Sequence, residues 1–219
     1  MDHLWLENGL DLRMKNYKVI SSWDQVGMIE MVSNSATISS IQNEFGGAAG
    51  ALNKETVIKF LRKHNPSKEA MAIAQENFLR SCAGYCVATF VIGVGDRHND
   101  NVMVAESGHF FHIDFGHILG NFKSKFGIKR ERTFFVFSRD FANVINYNNR
   151  ENFKRFEDLC AEAYNIVRQH GNELIELFMM MLSAGMPELT KVTDIQYLKD
   201  RINFNFTPKE AANHFKEEI

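Results

Sequence analysis

Residues 93–116 read GVGDRHNDNVMVAESGHFFHIDFG and carry most of the chemically useful side chains of this 219-residue chain. Asp96 lies five residues before Asn101, and Asp114 begins an Asp-Phe-Gly triplet. Phosphoryl transfer is accelerated mainly by positioned cations, and Mg²⁺ takes hard oxygen ligands while it keeps several waters. The stretch therefore predicts a site for a phosphate–magnesium complex, with Asn101 and Asp114 as the metal ligands.

The order of residues around Asp96 narrows this prediction. Kinase catalytic loops place an Asp five residues before a metal-binding Asn, but protein kinases have His-Arg-Asp where this chain has Asp96, Arg97 and His98. With SCAGYCVATFVIGVGDRHNDN (81–101) before it and FHIDFGHILGN (111–121) after it, the reversed triplet resembles the phosphoinositide 3-kinase catalytic domain. Class I lipid kinases are the most similar. The resemblance extends from GLDLRMKNYKVIS (9–21) to the helices after residue 150.

This resemblance implies a mainly helical α+β fold equivalent to the large, C-terminal lobe of a kinase, with a few short strands. Residues 1–32 would then be the end of the small lobe and the hinge, and residues 33–219 the C-terminal lobe. In such a fold Glu30 and Val32 of the hinge offer backbone hydrogen bonds to the adenine of ATP. Tyr17, Met103 and Ile113 would line the same slot together with Asp114, which makes ATP and Mg²⁺ the expected cofactors.

The segment after Gly116 is basic in a chain of net charge −2. Its cations are Lys123, Lys125, Lys129, Arg130 and Arg132. Taken alone, a run of charge is usually a solvated loop face. The resemblance identifies the run as an activation loop that receives the phosphates of phosphatidylinositol 4,5-bisphosphate, and each Lys or Arg near an anionic leaflet contributes about 1 kcal/mol.

The implied reaction is transfer of the γ-phosphoryl group of ATP to the 3-hydroxyl of an inositol lipid. His98 would contact the γ-phosphate or take the hydroxyl proton, and Asp96 would orient the hydroxyl or share that role. Either side chain can be the base, because imidazole titrates near neutrality whereas an exposed Asp needs a raised pKa. Arg97 is expected to bind loop carbonyls or carboxylates.

Three alternatives remain open from the sequence. His109, His112, Asp114 and His117 could form the transition-metal cluster of a phosphohydrolase, although His109 and His112 should point to opposite faces of a strand. The chain contains no glycine-rich phosphate loop and no Val-Ala-Ile-Lys strand, so it could be a catalytically incomplete fragment or a pseudokinase-like binding module. It could also be a protein kinase related to phosphoinositide 3-kinases, which the basic segment disfavours.

Composition sets broader limits. A hydrophobic content of 45% predicts a globular protein of one or two domains, and the net charge of −2 argues against general binding of nucleic acid. No run of eighteen apolar residues and no secretion leader is present, so we expect a cytoplasmic protein. The resemblance to a lipid kinase implies that it is recruited peripherally to the plasma membrane. A regulatory subunit or Ras-type activator would bind through regions outside these residues. Cys82, Cys86 and Cys160 are expected to be buried, reduced thiols.

Local patterns predict the elements around the site. Ala74, Phe78, Cys82, Cys86 and Phe90 recur every four residues and predict one apolar face on a long helix from about Ser67 to Phe90. The predicted strands are 18–20, 28–32, 102–105 and 109–114; composition alone makes 28–32 a buried strand. The other predicted helices are 1–10, 53–64, 151–170, 171–183 and 194–203, with a last one beginning at the capping box of Thr207. Residues 33–52 are predicted as a loop, and Met179–Met181 as core residues.

Overall fold

The structure is a computed structural model. It describes residues 1–24, 26–47, 53–120, 135–147, 149–186 and 188–219, together with the backbone pairing of 124–125 and 128–129. The helices are α1 Asp2–Glu7, α2 Ile38–Gly46, α3 Thr56–His64, α4 Lys68–Ile92, α5 Arg139–Asn146, α6 Asn152–Gln169, α7 Gly171–Met181, α8 Asp194–Ile202 and α9 Pro208–Glu217, with a 3₁₀ turn at Leu182–Ala184.

Short antiparallel sheets accompany these helices. The strands are β1 Val19–Trp23, β2 Val26–Ile29, β3 Ser35–Thr37, β4 Val102–Ala105, β5 Phe110–His112, β6 Ser124–Lys125 and β7 Ile128–Lys129. They pair as β1-β2, β3-β4-β5 and β6-β7. The predicted α+β, mainly helical fold class is confirmed. Within the described residues, no helix combines the length and the apolarity that crossing a bilayer requires.

Helix α4 is the centre of the fold. It begins where predicted, because Ser67 Oγ accepts a hydrogen bond from Ala70 N at 3.0 Å, and it ends at Gly93, which has a left-handed backbone. The prediction of a single apolar face was too narrow: α4 is buried on nearly every side. Its polar residues are accommodated by hydrogen bonds, such as those from Gln75 Nε2 to the carbonyls of Val144 at 2.8 Å and Ile145 at 3.0 Å.

Aromatic clusters join α4 to its neighbours. Phe78 meets Phe110 of β5 and Phe141 of α5 at ring centroid distances of 5.6 and 5.9 Å. Nearer the C-terminal end of α4, Phe90 contacts Phe215 of α9 at 5.1 Å and Tyr164 of α6 at 5.6 Å. Each buried ring stabilises the fold by roughly 1.5–3 kcal/mol. The C-terminal end of α4, which leads into the loop of Asp96, is therefore rigidly packed.

The β4–β5 hairpin is docked on the same helix. Its first strand has the predicted bounds, whereas β5 is shorter than the predicted 109–114 strand. Gly108 has φ +91°, and a β-carbon there would lie 2.0 Å from Ala74 O, so the turn touches the backbone of α4. Asn77 Nδ2 also donates to Ser107 O at 2.7 Å. These contacts anchor the turn of the hairpin on α4, and Asn101 and Asp114 flank the strands at its opposite, open end.

The prediction of a loop over residues 33–52 was wrong. Residues 35–37 form β3, which extends the hairpin sheet by pairing with β4, and α2 follows directly. Thr37 caps α2 by accepting a hydrogen bond from Ser40 N at 3.1 Å. The polar composition concealed a short amphipathic helix whose Ile38 and Ile41 are 2% and 1% exposed. Residues 48–52 lie outside the described chain.

Two predictions about burial have opposite outcomes. The cysteines Cys82, Cys86 and Cys160 are buried free thiols, as predicted. The prediction that Met179–Met181 fill the core was wrong, because all three are substantially exposed, Met180 by 67%. Helix α7 buries Leu174 and Phe178, and the methionines lie on its remaining surface.

The β1–β2 hairpin is exposed, whereas composition predicted a buried strand at 28–32. Its strands begin and end at other residues than the predicted 18–20 and 28–32, and every residue of both is exposed. Trp23 is 80% exposed and Ile29 is 71% exposed. The composition-based prediction of a buried strand was therefore wrong for this chain.

The remaining helices are close to their predicted positions. The first spans Asp2–Glu7 within the predicted 1–10, and α3 begins at Thr56 rather than at residue 53. Helix α7 ends at Met181, and residues 182–184 continue as a 3₁₀ turn. The predicted capping box of α9 is confirmed, since Thr207 Oγ1 accepts from Glu210 N while Glu210 accepts from Thr207 N.

Candidate active site

The loop between α4 and β4 has an unusual backbone. Gly93 has φ +66°, as required for a left-handed helix cap, and Asp96 has φ +55°. A left-handed backbone at a residue other than Gly costs of the order of 1 kcal/mol or more, and such strain is concentrated at functional sites. Asn101 closes this loop: its Nδ2 donates to Asp96 O at 2.9 Å and its N–H donates to His98 O at 2.9 Å.

Asn101 is oriented by these bonds. It is 6% exposed, and its Nδ2 is engaged by the Asp96 carbonyl. Because an amide has one donor end and one acceptor end, Oδ1 is the atom of this side chain that can accept from a donor or bind a cation. The bond to the Asp96 carbonyl therefore fixes the orientation of the Asn101 side chain.

Asp114 lies beside Asn101. The Ile113 N–H donates to Asn101 O at 3.0 Å, which joins the end of β5 to the start of β4. Asp114 has φ +59°, so it leaves the strand geometry, and this explains why β5 ends before it. Its carboxylate is exposed, and its Oδ1 accepts from Gly116 N at 3.3 Å.

Arg97 joins the loop of Asp96 to the loop of Asp114. Its guanidinium donates to Gly95 O at 2.8 Å, to Ile113 O at 2.7 Å and to Asp114 O. Burial lowers the pKa of Arg97, and the nearby Asp114 and Asp96 oppose that shift. The expected contact with loop carbonyls is confirmed: Arg97 fixes the distance between the two loops.

His98 is at the solvent edge of the site, with its side chain 52% exposed. Its Nδ1 lies 3.3 Å from Asp100 N and 3.6 Å from Asp100 Oδ2. When Asp100 N–H donates to Nδ1, the neutral ring carries its proton on Nε2. The ring can then present an N–H group to an incoming acceptor.

A cleft of about 450 Å³ extends from Asp114 to the β1–β2 hairpin. It is lined by Tyr17, Ile29, Glu30, Met31, Val32, Met103, Phe111, Ile113 and Asp114. All six residues predicted to bind a nucleotide are among them. Tyr17 is held by a hydrogen bond from its hydroxyl to His112 O at 3.2 Å, and burial raises the pKa of this phenol.

Sequence analysis missed Ile29, Met31 and Phe111 as lining residues. Phe111 faces Met103 across the β4–β5 ladder, so the pairing register of the hairpin would have identified it. Met31 stands between the two predicted hinge residues, and Ile29 precedes them. An apolar wall on both sides of a cleft suits a flat aromatic ring.

The backbone at Glu30 and Val32 offers the cleft one hydrogen-bond acceptor and one donor. Glu30 N–H donates to Lys18 O at 2.8 Å, and Val32 O accepts from Ser35 Oγ at 2.7 Å. Among the described residues, these bonds leave the Glu30 carbonyl as an acceptor and the Val32 N–H as a donor. One acceptor and one donor two residues apart can bind one edge of a heterocycle.

The three histidines of the alternative metal cluster face different neighbours. His112 is 2% exposed and stacks on Tyr85 at a centroid distance of 5.4 Å, and burial lowers its pKa to about 3. His117 Nδ1 lies 3.3 Å from Glu188 Oε1, and His109 Nδ1 lies 2.9 Å from Ser107 Oγ. Asp114 is exposed, whereas His112 is buried, so the two side chains lie in different environments. In the described part of the chain, no group of three His, Cys, Asp or Glu residues is arranged to hold a metal.

The residues predicted to bind the lipid headgroup lie mostly outside the part of the chain that the structure describes. Lys123, Arg130 and Arg132 are not among the described residues, and only the backbone of Lys125 and Lys129 is described, in the two-stranded β6–β7 ladder. Their proposed role therefore stays a prediction.

Comparisons with known proteins agree on which proteins this chain is similar to. Residues 1–191 match the family model described as phosphatidylinositol 3- and 4-kinase. The chain is 44% identical over 219 residues to phosphatidylinositol 3-kinase 2 of Dictyostelium discoideum, covering 100% of this chain and 12% of that protein. It is 47% identical over 216 residues to phosphatidylinositol 3-kinase 1 of the same organism, covering 98% and 14%. Against phosphatidylinositol 3-kinase 3 the identity is 46% over 219 residues, covering 100% and 13%. The chain thus spans about an eighth of the length of these relatives.

Proposed function

Since this chain belongs to the phosphatidylinositol 3- and 4-kinase family, we propose that it is the large-lobe part of an ATP-dependent lipid kinase. The reaction would transfer the γ-phosphoryl group of ATP to the 3-hydroxyl of an inositol lipid. Residues 1–32 would contribute the end of the small lobe and the hinge, and residues 33–219 the C-terminal lobe. The names of the Dictyostelium relatives support the 3-position.

The observation that carries this proposal is the single cleft that unites the hinge with Asp114. Tyr17, Glu30, Val32, Met103, Ile113 and Asp114 come from separate parts of the sequence, yet all line the same space of about 450 Å³. Adenine can donate from its amino group to the Glu30 carbonyl and accept from the Val32 N–H. Met103 and Ile113 would then contact the faces of the ring, and the phosphates would extend toward Asp114.

Asn101 and Asp114 fit magnesium. Asn101 is a buried amide whose Nδ2 is hydrogen-bonded to the Asp96 carbonyl, so that Oδ1 is the end that could bind a cation. Asp114 is an exposed carboxylate. Two protein oxygens beside substrate phosphates are a usual arrangement for this ion. When bound, Mg²⁺ would neutralise charge on the β- and γ-phosphate oxygens. Arg97 keeps the two ligands in register, because it binds the carbonyls of both loops.

His98 and Asp96 would divide the remaining work. The Asp100 N–H bond to His98 Nδ1 places the neutral-ring proton on Nε2, which suits a contact with the γ-phosphate. Asp96 would orient the lipid hydroxyl and accept its proton. Replacing His98 with Gln, which retains an N–H donor, should then preserve more turnover than replacing Asp96 with Asn.

For the lipid, we propose phosphatidylinositol 4,5-bisphosphate. The support is the charge of the segment after Gly116, where Lys123, Lys125, Lys129, Arg130 and Arg132 are opposed by Glu131 alone. A polyanionic headgroup is the substrate that such a segment would select. The enzyme would work in the cytoplasm and bind the plasma membrane peripherally, with a regulatory subunit or Ras-type activator engaged by other regions.

The first test is transfer of labelled γ-phosphate from ATP to mixed phosphoinositide vesicles. The protein would carry residues 1–219 with any native flanking sequence, either unchanged, as Asp114→Ala, or as Asp200→Ala. Asp200 is a matched control because it is an exposed carboxylate whose visible contact is with Gln196, on the same helix. Labelled 3-phosphorylated lipid that disappears only in Asp114→Ala supports the proposal.

Absence of labelled lipid from a folded sample would contradict turnover by this protein. Titration of ATP with Mg²⁺ into the same sample then separates two cases. Binding that Asp114→Ala weakens would indicate a nucleotide-binding module without turnover. No binding at all would contradict the assignment of this cleft as a nucleotide-binding site.

Headgroup selection is tested separately. Replacing Lys129, Arg130 and Arg132 with Ala should reduce turnover of the 4,5-bisphosphate at least tenfold more than turnover of unphosphorylated phosphatidylinositol. The control replaces Lys68, Lys191 and Lys199, which removes the same charge from exposed positions elsewhere. Equal losses on both lipids would contradict the role of the basic segment.

A further inference from the structure

Tyr197 of α8 packs against both ends of the candidate active site. A β-carbon on Gly93 would lie 2.3 Å from Tyr197 Cε1, and a β-carbon on Gly120 would lie 2.4 Å from Tyr197 Cδ2. Both glycines have positive φ, +66° and +73°. The phenol ring therefore lies directly on two backbone segments that leave no space for any side chain.

These two segments are the ones whose relative position matters for the chemistry. Gly93 is where α4 ends and the loop to Asn101 begins, and Gly120 ends the segment that begins at Asp114. They are hydrogen-bonded to each other, through Leu119 N–H to Ile92 O at 2.7 Å and Gly120 N–H to Gly93 O at 3.3 Å. A third bond runs from Gly95 N–H to His117 O at 2.9 Å. Tyr197 covers this crossing point.

The ring itself is held firmly. The Arg201 guanidinium lies 5.0 Å from the Tyr197 ring centroid and 5.1 Å from that of Phe90, so it links α8 to α4. Ile195, Leu198 and Ile202 of α8 are fully buried. Burial also raises the pKa of the Tyr197 phenol, which keeps the ring neutral. Because the Tyr197 ring is fixed on a packed helix, the position of α8 can determine the position of the two loops that the ring contacts.

The connection that leads into α8 makes a second contact with the same region. Glu188 Oε1 lies 3.3 Å from Nδ1 of His117, whose carbonyl accepts the bond from Gly95. The segment between α7 and α8 thus supports the Asp114 loop from one side while Tyr197 supports it from another.

From this geometry we propose that Tyr197 is a positioning residue for phosphoryl transfer. The inference rests on the proposed kinase function and adds to it a residue that touches neither nucleotide nor lipid. Through Gly93 and Gly120, the ring sets the distance between the loop of Asp96 to Asn101 and the loop of Asp114. A displacement of about 1 Å in a reacting group can cost about a hundredfold in rate. Loss of the ring should therefore lower kcat more than it changes the KM for ATP.

The test compares Tyr197→Phe, Tyr197→Leu and Tyr197→Ala in the protein with its native flanking sequence. Tyr197→Phe retains the planar ring and should keep kcat within about twofold of the unchanged protein. Tyr197→Leu preserves apolar volume but cannot lie flat, and Tyr197→Ala leaves a cavity; each should lower kcat at least tenfold with the KM for ATP within threefold. Tyr147→Ala is the control, because Tyr147 is also a half-buried ring under an arginine, with Arg62 at 4.5 Å, but contacts neither loop.

Hydrogen exchange gives a readout that does not need turnover. The amides of Gly95, Leu119 and Gly120 should exchange at least tenfold faster in Tyr197→Leu than in the unchanged protein, and Tyr147→Ala should leave them protected. If the unchanged protein transfers no phosphate, the proposed kinase function fails and the exchange result decides this inference alone. A kcat in Tyr197→Leu no lower than in Tyr147→Ala, unchanged protection, or failure of both Leu and Ala variants to fold would overturn it.

Discussion

Arg97 offers the sharpest test of how the two functional loops are held together. Its three hydrogen bonds to Gly95 O, Ile113 O and Asp114 O join segments that are far apart in sequence. A hydrogen bond with a charged partner contributes about 1.5–3 kcal/mol. Three such bonds set an upper limit near 9 kcal/mol, but the desolvation that lowers the Arg97 pKa and hydration of the freed carbonyls offset much of this. We expect Arg97→Ala to destabilise the protein by about 2–4 kcal/mol.

The same loss should be visible in thermal unfolding. For a domain of this size, 1 kcal/mol corresponds to a shift in Tm of about 2–4 °C. Arg97→Ala should therefore lower Tm by about 4–16 °C, measured by circular dichroism at pH 7. Arg97→Lys should recover less than half of that loss, because one ammonium group cannot serve three carbonyls in the planar arrangement that a guanidinium can.

Arg62→Ala is the matched control. Arg62 is an exposed arginine that stacks on Tyr147 at 4.5 Å, a contact of about 0.5–1 kcal/mol. If Arg97→Ala were no more destabilising than Arg62→Ala, the hydrogen bonds of Arg97 would not hold the loops, and the structural role assigned to it would be refuted.

Three further predictions concern stability and the cleft. Glu76 binds Arg155 and Arg80, and these hydrogen bonds hold its pKa at about 2 instead of 4.5. Glu76→Gln should therefore reduce the free energy of unfolding by about 1 kcal/mol at pH 7. Because the folded pKa is depressed, this cost should become progressively smaller in urea titrations as pH falls from 4.5 toward 2. Gly108→Ala places a β-carbon 2.0 Å from Ala74 O, so calorimetry should show a loss of about 2–4 kcal/mol, whereas Gly9→Ala, with no atom within 4 Å, should cost less. Tyr17→Phe removes a 3.2 Å hydrogen bond to His112 O and should cost about 0.5–1.5 kcal/mol in chemical unfolding while ATP binding persists.

Much of the fold could be predicted because its signals are local. Ser67 as a helix cap, the four-residue apolar repeat of α4 and the capping box of Thr207 each depend on a few neighbouring residues. The hairpin turn at Ser107 and Gly108 is similarly local. These patterns located the helices that carry the core, with errors of one to three residues at most ends.

The failures occur where a tertiary contact decides the outcome. The Ser- and Gly-rich stretch before residue 47 contains β3 and α2, and β3 exists because β4 offers it a partner strand. Met179–Met181 have the composition of core residues, but α7 presents another face to the protein. Neither pairing nor the orientation of a helix is encoded in the periodicity of the segment itself.

By itself, the sequence determined which chemical groups are present: the Asp96, His98 and Asn101 loop, the Asp-Phe-Gly triplet and the basic segment that follows. Only the tertiary structure decided that Tyr17 and the hinge residues line one cleft with Asp114, and that Arg97 and Tyr197 hold the two loops together. The physical reason is range. Residue types and spacings specify local conformation and chemistry, whereas distances between remote segments depend on how α4, α8 and the β4–β5 hairpin pack in three dimensions.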